Sequence, residues 1–134
     1  MKSRIHLSLM AVLVSLVLLS ACADAKKDEV KFKVISYNGS FTGSYSVDSG
    51  TNVSFSGAGF GNDGFIYEKD VEVDDQLEID ASPNSVDATG DVTLSSLEIK
   101  VYRDGGLITS VQDTSRPIEK ITLTYTAGQA ADGQ

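Results

Sequence analysis

Carboxylates are the chemistry-bearing side chains this sequence holds in quantity, and they gather in two places. Glu68, Asp70, Glu72, Asp74 and Asp75 crowd one short stretch, and Asp80, Asn84, Asp87 and Asp91 follow at wider spacing. Two carboxyl groups at a set separation are what glycoside hydrolysis requires, and carboxylates with backbone carbonyls are what Ca²⁺ binds. In the first group Glu68, Asp70 and Glu72 fall on the parity opposite Tyr67 and Val71, which puts them on the solvated face of a strand, with Asp74-Asp75 turning the chain through a hairpin. The second group borders a loop and is the candidate Ca²⁺ site. Its spacing fits no EF-hand pattern, and Asp-rich turns are commonly just solvated, so the expectation is that no metal and no cofactor is held. A third stretch, Gly57-Ala58-Gly59-Phe60-Gly61-Asn62-Asp63-Gly64, lacks the Gly-Lys-Ser/Thr ending of a phosphate loop. As a binding loop it would offer Phe60, Asn62 and Asp63. As a plain connection it would fold Phe60 back over the end of the domain, and that reading is preferred.

Histidine and cysteine occur once each, as His6 and Cys22. Both belong to the N-terminal organisation. Lys2 and Arg4 give a positive start, and Leu7 to Leu19 are apolar except for Ser8 and Ser15. Ser20 and Ala21 are small, and Cys22 follows. That is the plan of an export signal, with a run too short for the roughly 20 apolar residues of a membrane-spanning helix. Leu19-Ser20-Ala21-Cys22 resembles the lipobox of bacterial lipoproteins. The resemblance implies cleavage between Ala21 and Cys22 and acylation of the Cys22 thiol, giving an anchor of two or more chains. Residues 1–21 are then the signal, with its apolar helix, and residues 22–29 a lipidated tether. Ala23 after the cysteine implies the outer membrane. Lys27-Asp28-Glu29 resembles a surface-export tripeptide and reads equally as a charged tether, so periplasmic and surface-facing orientations both stay open.

Removal of the signal leaves no histidine and no unmodified thiol. Ser–His and Cys–His nucleophile pairs, CxxC redox pairs, Cys/His zinc sites and internal disulfides are all excluded. Losing Lys2 and Arg4 takes the net charge from −8 to −10. Nucleic-acid binding requires a basic footprint, so no nucleic acid is expected as partner.

The elements that position these residues repeat with period two. Val30-Lys31-Phe32-Lys33-Val34 alternates apolar and charged residues, and Asn38-Gly39 predicts a hairpin into Phe41, Gly43, Tyr45 and Val47. Asp48-Ser49-Gly50 leads to Val53 and Phe55. Phe65, Tyr67, Val71 and Val73 share one parity, and Leu77, Ile79 and Ala81 follow. Leu97, Ile99 and Val101 meet Leu107 to Val111 across Asp104-Gly105-Gly106, a hairpin signal. Pro117 opens a last strand through Ile121, Leu123 and Tyr125. A parity change between Val92, Leu94 and Leu97 predicts a bulge or break near Ser95-Ser96. No stretch after the signal has a helical stripe. The pattern predicts an all-β fold, a small antiparallel β-sandwich of seven or eight strands over residues 30–126, with a disordered tail at 127–134.

The succession from Val30-Lys31-Phe32-Lys33-Val34 through Tyr45, Leu97-Glu98-Ile99-Lys100-Val101-Tyr102-Arg103-Asp104-Gly105-Gly106 and Ile121-Thr122-Leu123-Thr124-Tyr125 resembles the MmpS-like domain. These are small envelope β-sandwiches associated with lipid-exporting transporters. The resemblance implies an Ig-like sandwich and an envelope protein partner, and it carries over no catalytic residues. This chain differs in having a lipobox where typical members have a membrane helix. The expected function is a non-enzymatic, membrane-anchored binding or adaptor domain. A small carboxylate-dependent hydrolase or metal-binding enzyme is the contrasting reading, and a surface structural lipoprotein without a specific ligand is a third.

Overall fold

A computed structural model describes residues 27–59, 64–84 and 93–132. Within them the chain forms eight strands: β1 Asp28–Tyr37, β2 Gly39–Val47, β3 Val53–Gly59, β4 Phe65–Val73, β5 Gln76–Pro83, β6 Ser96–Arg103, β7 Gly106–Asp113 and β8 Ile121–Thr126. They build two antiparallel four-stranded sheets, ordered β4-β1-β6-β7 and β3-β2-β5-β8. The all-β sandwich read from the alternation is the fold. Each strand of the first sheet faces its sequence neighbour in the second: β1 over β2, β4 over β3, β6 over β5 and β7 over β8.

The core is made by the inward parity of every strand. Phe32, Val34, Phe41, Leu77, Ile79, Ile99, Val101 and Tyr125 are among its buried members. Aromatic rings concentrate at one side, where Phe55 stacks on Tyr67 at 4.5 Å and Phe32 tilts against Tyr45 at 5.0 Å. Two glycines make room for them. Opposite each other in the β2–β3 ladder stand Phe41 with Gly57 and Gly43 with Phe55. A Cβ on Gly43 would lie 2.6 Å from Phe55 Cζ, and one on Gly57 would lie 2.8 Å from Phe41 Cε1 and overlap the Phe65 ring. The rings occupy the volume the missing side chains leave.

Turn chemistry decides which connections are hairpins. Asp48 and Ser49 both have positive φ (51° and 58°), as do Asp104 and Gly105 (52° and 78°). Those are the two left-handed residues of a type I′ turn, and β2–β3 and β6–β7 pair across them. The hairpin expected at Asn38-Gly39 is not one. Only Asn38 is left-handed there, at 61°, and the single linking residue carries the chain from one sheet to the other. Ser36 Oγ donates to Gly39 O, and Asn38 Nδ2 donates to Ser95 Oγ, fixing the corner. Asp74-Asp75 is likewise a crossing between sheets. The Asp48 carboxylate accepts the amides of Asp74, Asp75 and Gln76 at 3.0, 2.7 and 3.0 Å, replacing the partners a hairpin would have supplied.

Of two smaller expectations, one holds and one changes. Near Ser95-Ser96 the chain breaks rather than bulges: β6 begins at Ser96 and Leu94 enters the core from outside the strand, and a separate register shift lies between Val101 and Tyr102. The last strand begins at Ile121, because the preceding turn is organised by Asp113, whose carboxylate accepts the amides of Ser115 and Glu119.

Candidate functional site

The two outer faces of the sandwich differ in kind. Sheet pairing sets the outward residues of β1 against those of β4: Glu29 with Glu72, Lys31 with Asp70, Lys33 with Glu68 and Ile35 with Ile66. On the other side of β1, Tyr102, Lys100 and Glu98 of β6 oppose Lys31, Lys33 and Ile35. The charges are organised into cross-strand pairs, with Lys31 Nζ 3.7 Å from Asp70 Oδ1 and Lys33 Nζ 3.5 Å from Glu68 Oε2. Lys100 Nζ lies 3.1 Å from Glu98 Oε1, and that hydrogen bond raises the lysine pKa above its ordinary value. Lys33 also sits 5.5 Å from the centroid of the Tyr102 ring. Exposed pairs of this sort each add only about 0–1 kcal/mol to stability.

Between these residues runs an open groove of about 700 Å³ lined by Glu29, Lys31, Lys33, Asp70, Glu72 and Tyr102. Beside it the same face carries apolar side chains. Of the four large hydrophobic residues exposed among the described residues, Ile66, Leu107 and Tyr37 have the outward parity of this sheet. Outward positions of the second sheet are Thr42 and Ser44 on β2, Ser54 and Ser56 on β3, Glu78 and Asp80 on β5, and Thr122 and Thr124 on β8. One face is thus mostly hydroxylated, with an open hollow lined by Thr42, Ser44, Ser54, Ser56 and Asp80; the other combines paired charge, an aromatic ring and exposed aliphatics. An open sheet face does little to exclude water. Its strength is contact area with fixed charges, which suits binding.

At the end of the sandwich where β1 begins, a second constellation holds the N- and C-terminal parts together. Asp28 Oδ2 accepts from Tyr125 Oη at 2.5 Å, from the Gly128 amide at 2.7 Å and from Arg103 Nη1 at 3.0 Å. Arg103 Nη2 donates to Gln129 O at 3.0 Å. The Tyr125 hydroxyl, then the Gly128 amide and the Arg103 guanidinium, hold the Asp28 carboxyl below the usual carboxylate range. Burial, with the neighbouring carboxylate, pushes the Tyr125 phenol up. Sequence reasoning placed Asp28 in the tether and missed this cluster, whose members lie 22 to 100 residues apart. The stretch expected to fray is tied down as far as residue 132, with Ala127 packed on the core and the Asp132 amide donating to Ile108 O at 2.8 Å.

The predicted site residues scatter. Glu68, Asp70 and Glu72 face outward on β4, as their parity required. Asp80 stands on the outer face of the second sheet, where its Oδ2 accepts from Ser44 Oγ at 2.9 Å and its Oδ1 lies 3.6 Å from Lys120 Nζ. Asn84 is at the end of β5 and uses its backbone amide on Ser40 O. Among the described residues no group of three or more His, Cys, Asp or Glu side chains is placed to hold a metal ion. Asp87 and Asp91, the loop residues Phe60, Asn62 and Asp63, and the processing residues Ala21 and Cys22 lie outside the described residues.

No protein-family model matches this sequence, and no curated protein or solved structure matches it either.

Proposed function

We propose that this chain is a lipid-anchored lipoprotein of the bacterial outer membrane whose β-sandwich is a non-enzymatic binding or adaptor domain for another envelope protein. The observation that carries the binding reading is the asymmetry of the two faces. Three exposed large hydrophobic side chains, Tyr37, Ile66 and Leu107, share the face that also bears Tyr102 and the Lys31–Asp70 and Lys33–Glu68 pairs. Tyr37 and Ile66 lie at one end of this face and Leu107 with Tyr102 at the other, with the Lys33–Glu68 pair between them, and aromatic and aliphatic side chains mixed with polar ones are the composition of a protein interface. The anchor reading rests on the residues around Cys22, and the MmpS-like resemblance favours an exporter or similar complex as the partner.

Chain geometry fits such a role. Six residue steps separate Cys22 from Asp28, a reach of about 20 Å when extended. The Asp28–Arg103–Tyr125 cluster then fixes the tether to the end of the sandwich, so a pull on the anchor is delivered to the core. The groove opens at that same end, beside Asp104 and Gly105.

The test is site-specific photo-crosslinking in growing cells. A photoreactive residue at Ile66 or Leu107 should capture one envelope protein, while the same residue at Thr124, on the hydroxylated face, should not. Equal capture from both faces, or none from either, contradicts the assignment of the first sheet as the binding surface.

A further inference from the structure

Four strands end the two sheets, and three of them are guarded against pairing with another chain. Strand β4 carries Glu68, Lys69, Asp70 and Glu72, and Lys69 is charged at a position of inward parity, between Tyr67 and Val71. Strand β7 is distorted by the irregularity opposite Val101/Tyr102, and the Asp132 amide already occupies Ile108 O. Strand β8 is the shortest at six residues, is preceded by Glu119-Lys120, and has its last amide, Thr126 N, bonded to Gln129 Oε1. Charges, irregularities and covering segments are the ordinary means by which edges are kept from pairing. Among the described residues strand β3 has none of them. Val-Ser-Phe-Ser-Gly-Ala-Gly contains no charge and no proline, is paired with β2 along all seven residues, and among the described residues has no strand on its other side.

We infer that β3 is a self-association edge, through which two copies of this chain pair antiparallel about Ser56 and join their second sheets into one of eight strands. Ser56 is the central residue of Val53–Gly59. A two-fold axis there sets Ser56 opposite Ser56 of the second copy, Ser54 opposite Ala58, and Phe55 opposite Gly57. In the last pairing Phe55 stands opposite a residue with no side chain, so the inward rings of both copies, Phe55 on Tyr67 and Phe65 over Gly57, keep their places in their own cores. Every pairing occurs twice, which is the self-complementarity a two-fold interface requires.

Charge points to a second copy of the chain as the occupant. At a net charge of −8 the chain repels itself through most of its surface. The β3 edge and its outward neighbours Thr42 and Ser44 are uncharged, so like-charge repulsion is least there. A single seven-residue ladder buries less than the roughly 1,000 Å² expected of a stable interface. The pairing is therefore concentration-dependent, populated where copies are crowded and weak in dilute solution.

Disulfide trapping of the full chain in cells reads this directly. Directly opposed residues of an antiparallel ladder have Cα atoms about 4.5–5.5 Å apart, inside the roughly 4.4–6.8 Å that a disulfide spans. Ser56 is exposed, so Ser56→Cys should leave the fold intact. Under mild oxidation it should give at least about tenfold more covalent dimer than Ser110→Cys, an exposed position on the guarded β7 edge, or than the parent chain with Cys22 alone. Ser54→Cys and Ala58→Cys should crosslink when mixed and much less when either is present by itself. Dimer yield from Ser56→Cys no higher than from Ser110→Cys overturns the inference. So does crosslinking of Ser54→Cys to itself as readily as to Ala58→Cys, or capture of a different protein at Ser56→Cys in place of a second copy.

Discussion

Replacing Asp28 by Asn tests how the tether is joined to the fold. The substitution keeps the size of the side chain and an oxygen acceptor but removes the charge to which Tyr125, Gly128 and Arg103 all donate. Hydrogen bonds to a charged group contribute about 1.5–3 kcal/mol each and neutral ones about 1. The Asp28 side chain retains 21 % of its accessibility and Arg103 retains 25 %, so water offsets part of the loss. A net destabilisation of about 2 kcal/mol follows from these ranges, and for a domain of this size it lowers Tm by roughly 10 °C. The pH dependence has a definite sign. Asp28 has a folded pKa below its unfolded value, so its contribution is fully present above about pH 4 and is lost as pH falls toward the folded pKa. The gap in Tm between parent and Asp28→Asn, followed by thermal melts from pH 7 to pH 3, should be largest at neutrality and narrow below about pH 4. A gap under about 2 °C at pH 7, or one that stays constant down to pH 3, refutes the reasoning.

Gly57→Ala should destabilise by about 1–3 kcal/mol, the usual cost of overfilling a packed core. Gly106→Ala, whose added Cβ would come no nearer than 3.5 Å to another residue, should stay within about 0.5 kcal/mol in the same urea titration. Asp48→Ala leaves three amides of the β4–β5 crossing without their acceptor and should cost about 1–3 kcal/mol. Because those amides hold the Asp48 pKa down, that loss too should shrink as pH falls below about 4. Lys33→Ala removes only an exposed pair and a ring contact and should shift stability by less than about 1 kcal/mol. Millimolar Ca²⁺ should leave Tm unchanged, and a rise of several degrees would revive a metal site at Asp80 and Asn84.

Period-two alternation made the fold class legible, since each strand buries one parity and solvates the other. It also gave the outward placement of Glu68, Asp70 and Glu72. Alternation says nothing about which sheet a strand joins. That depended on whether one or two turn residues are left-handed, which separates Asn38 from Asp48-Ser49, and on a carboxylate reaching another connection, as Asp48 does. The Asp28 cluster was invisible for a related reason. Arg103 keeps the inward parity of Leu97, Ile99 and Val101, but its partners come from both ends of the chain, which alternation does not bring together. The concentration of Tyr37, Ile66 and Leu107 on one face likewise appears only once strand order is known, because each sits in a different strand or at its end.

The most direct test of the binding-domain account is crosslinking of the full chain in living cells, followed by affinity recovery and mass spectrometry. It should be run beside Cys22→Ser and beside the paired change Ile66→Lys with Leu107→Lys. The account predicts one envelope complex recovered well above background, lost from the membrane fraction with Cys22→Ser and lost from the recovered material when the two lysines are present. Recovery of no partner from the parent chain, or a partner indifferent to both changes, would contradict it.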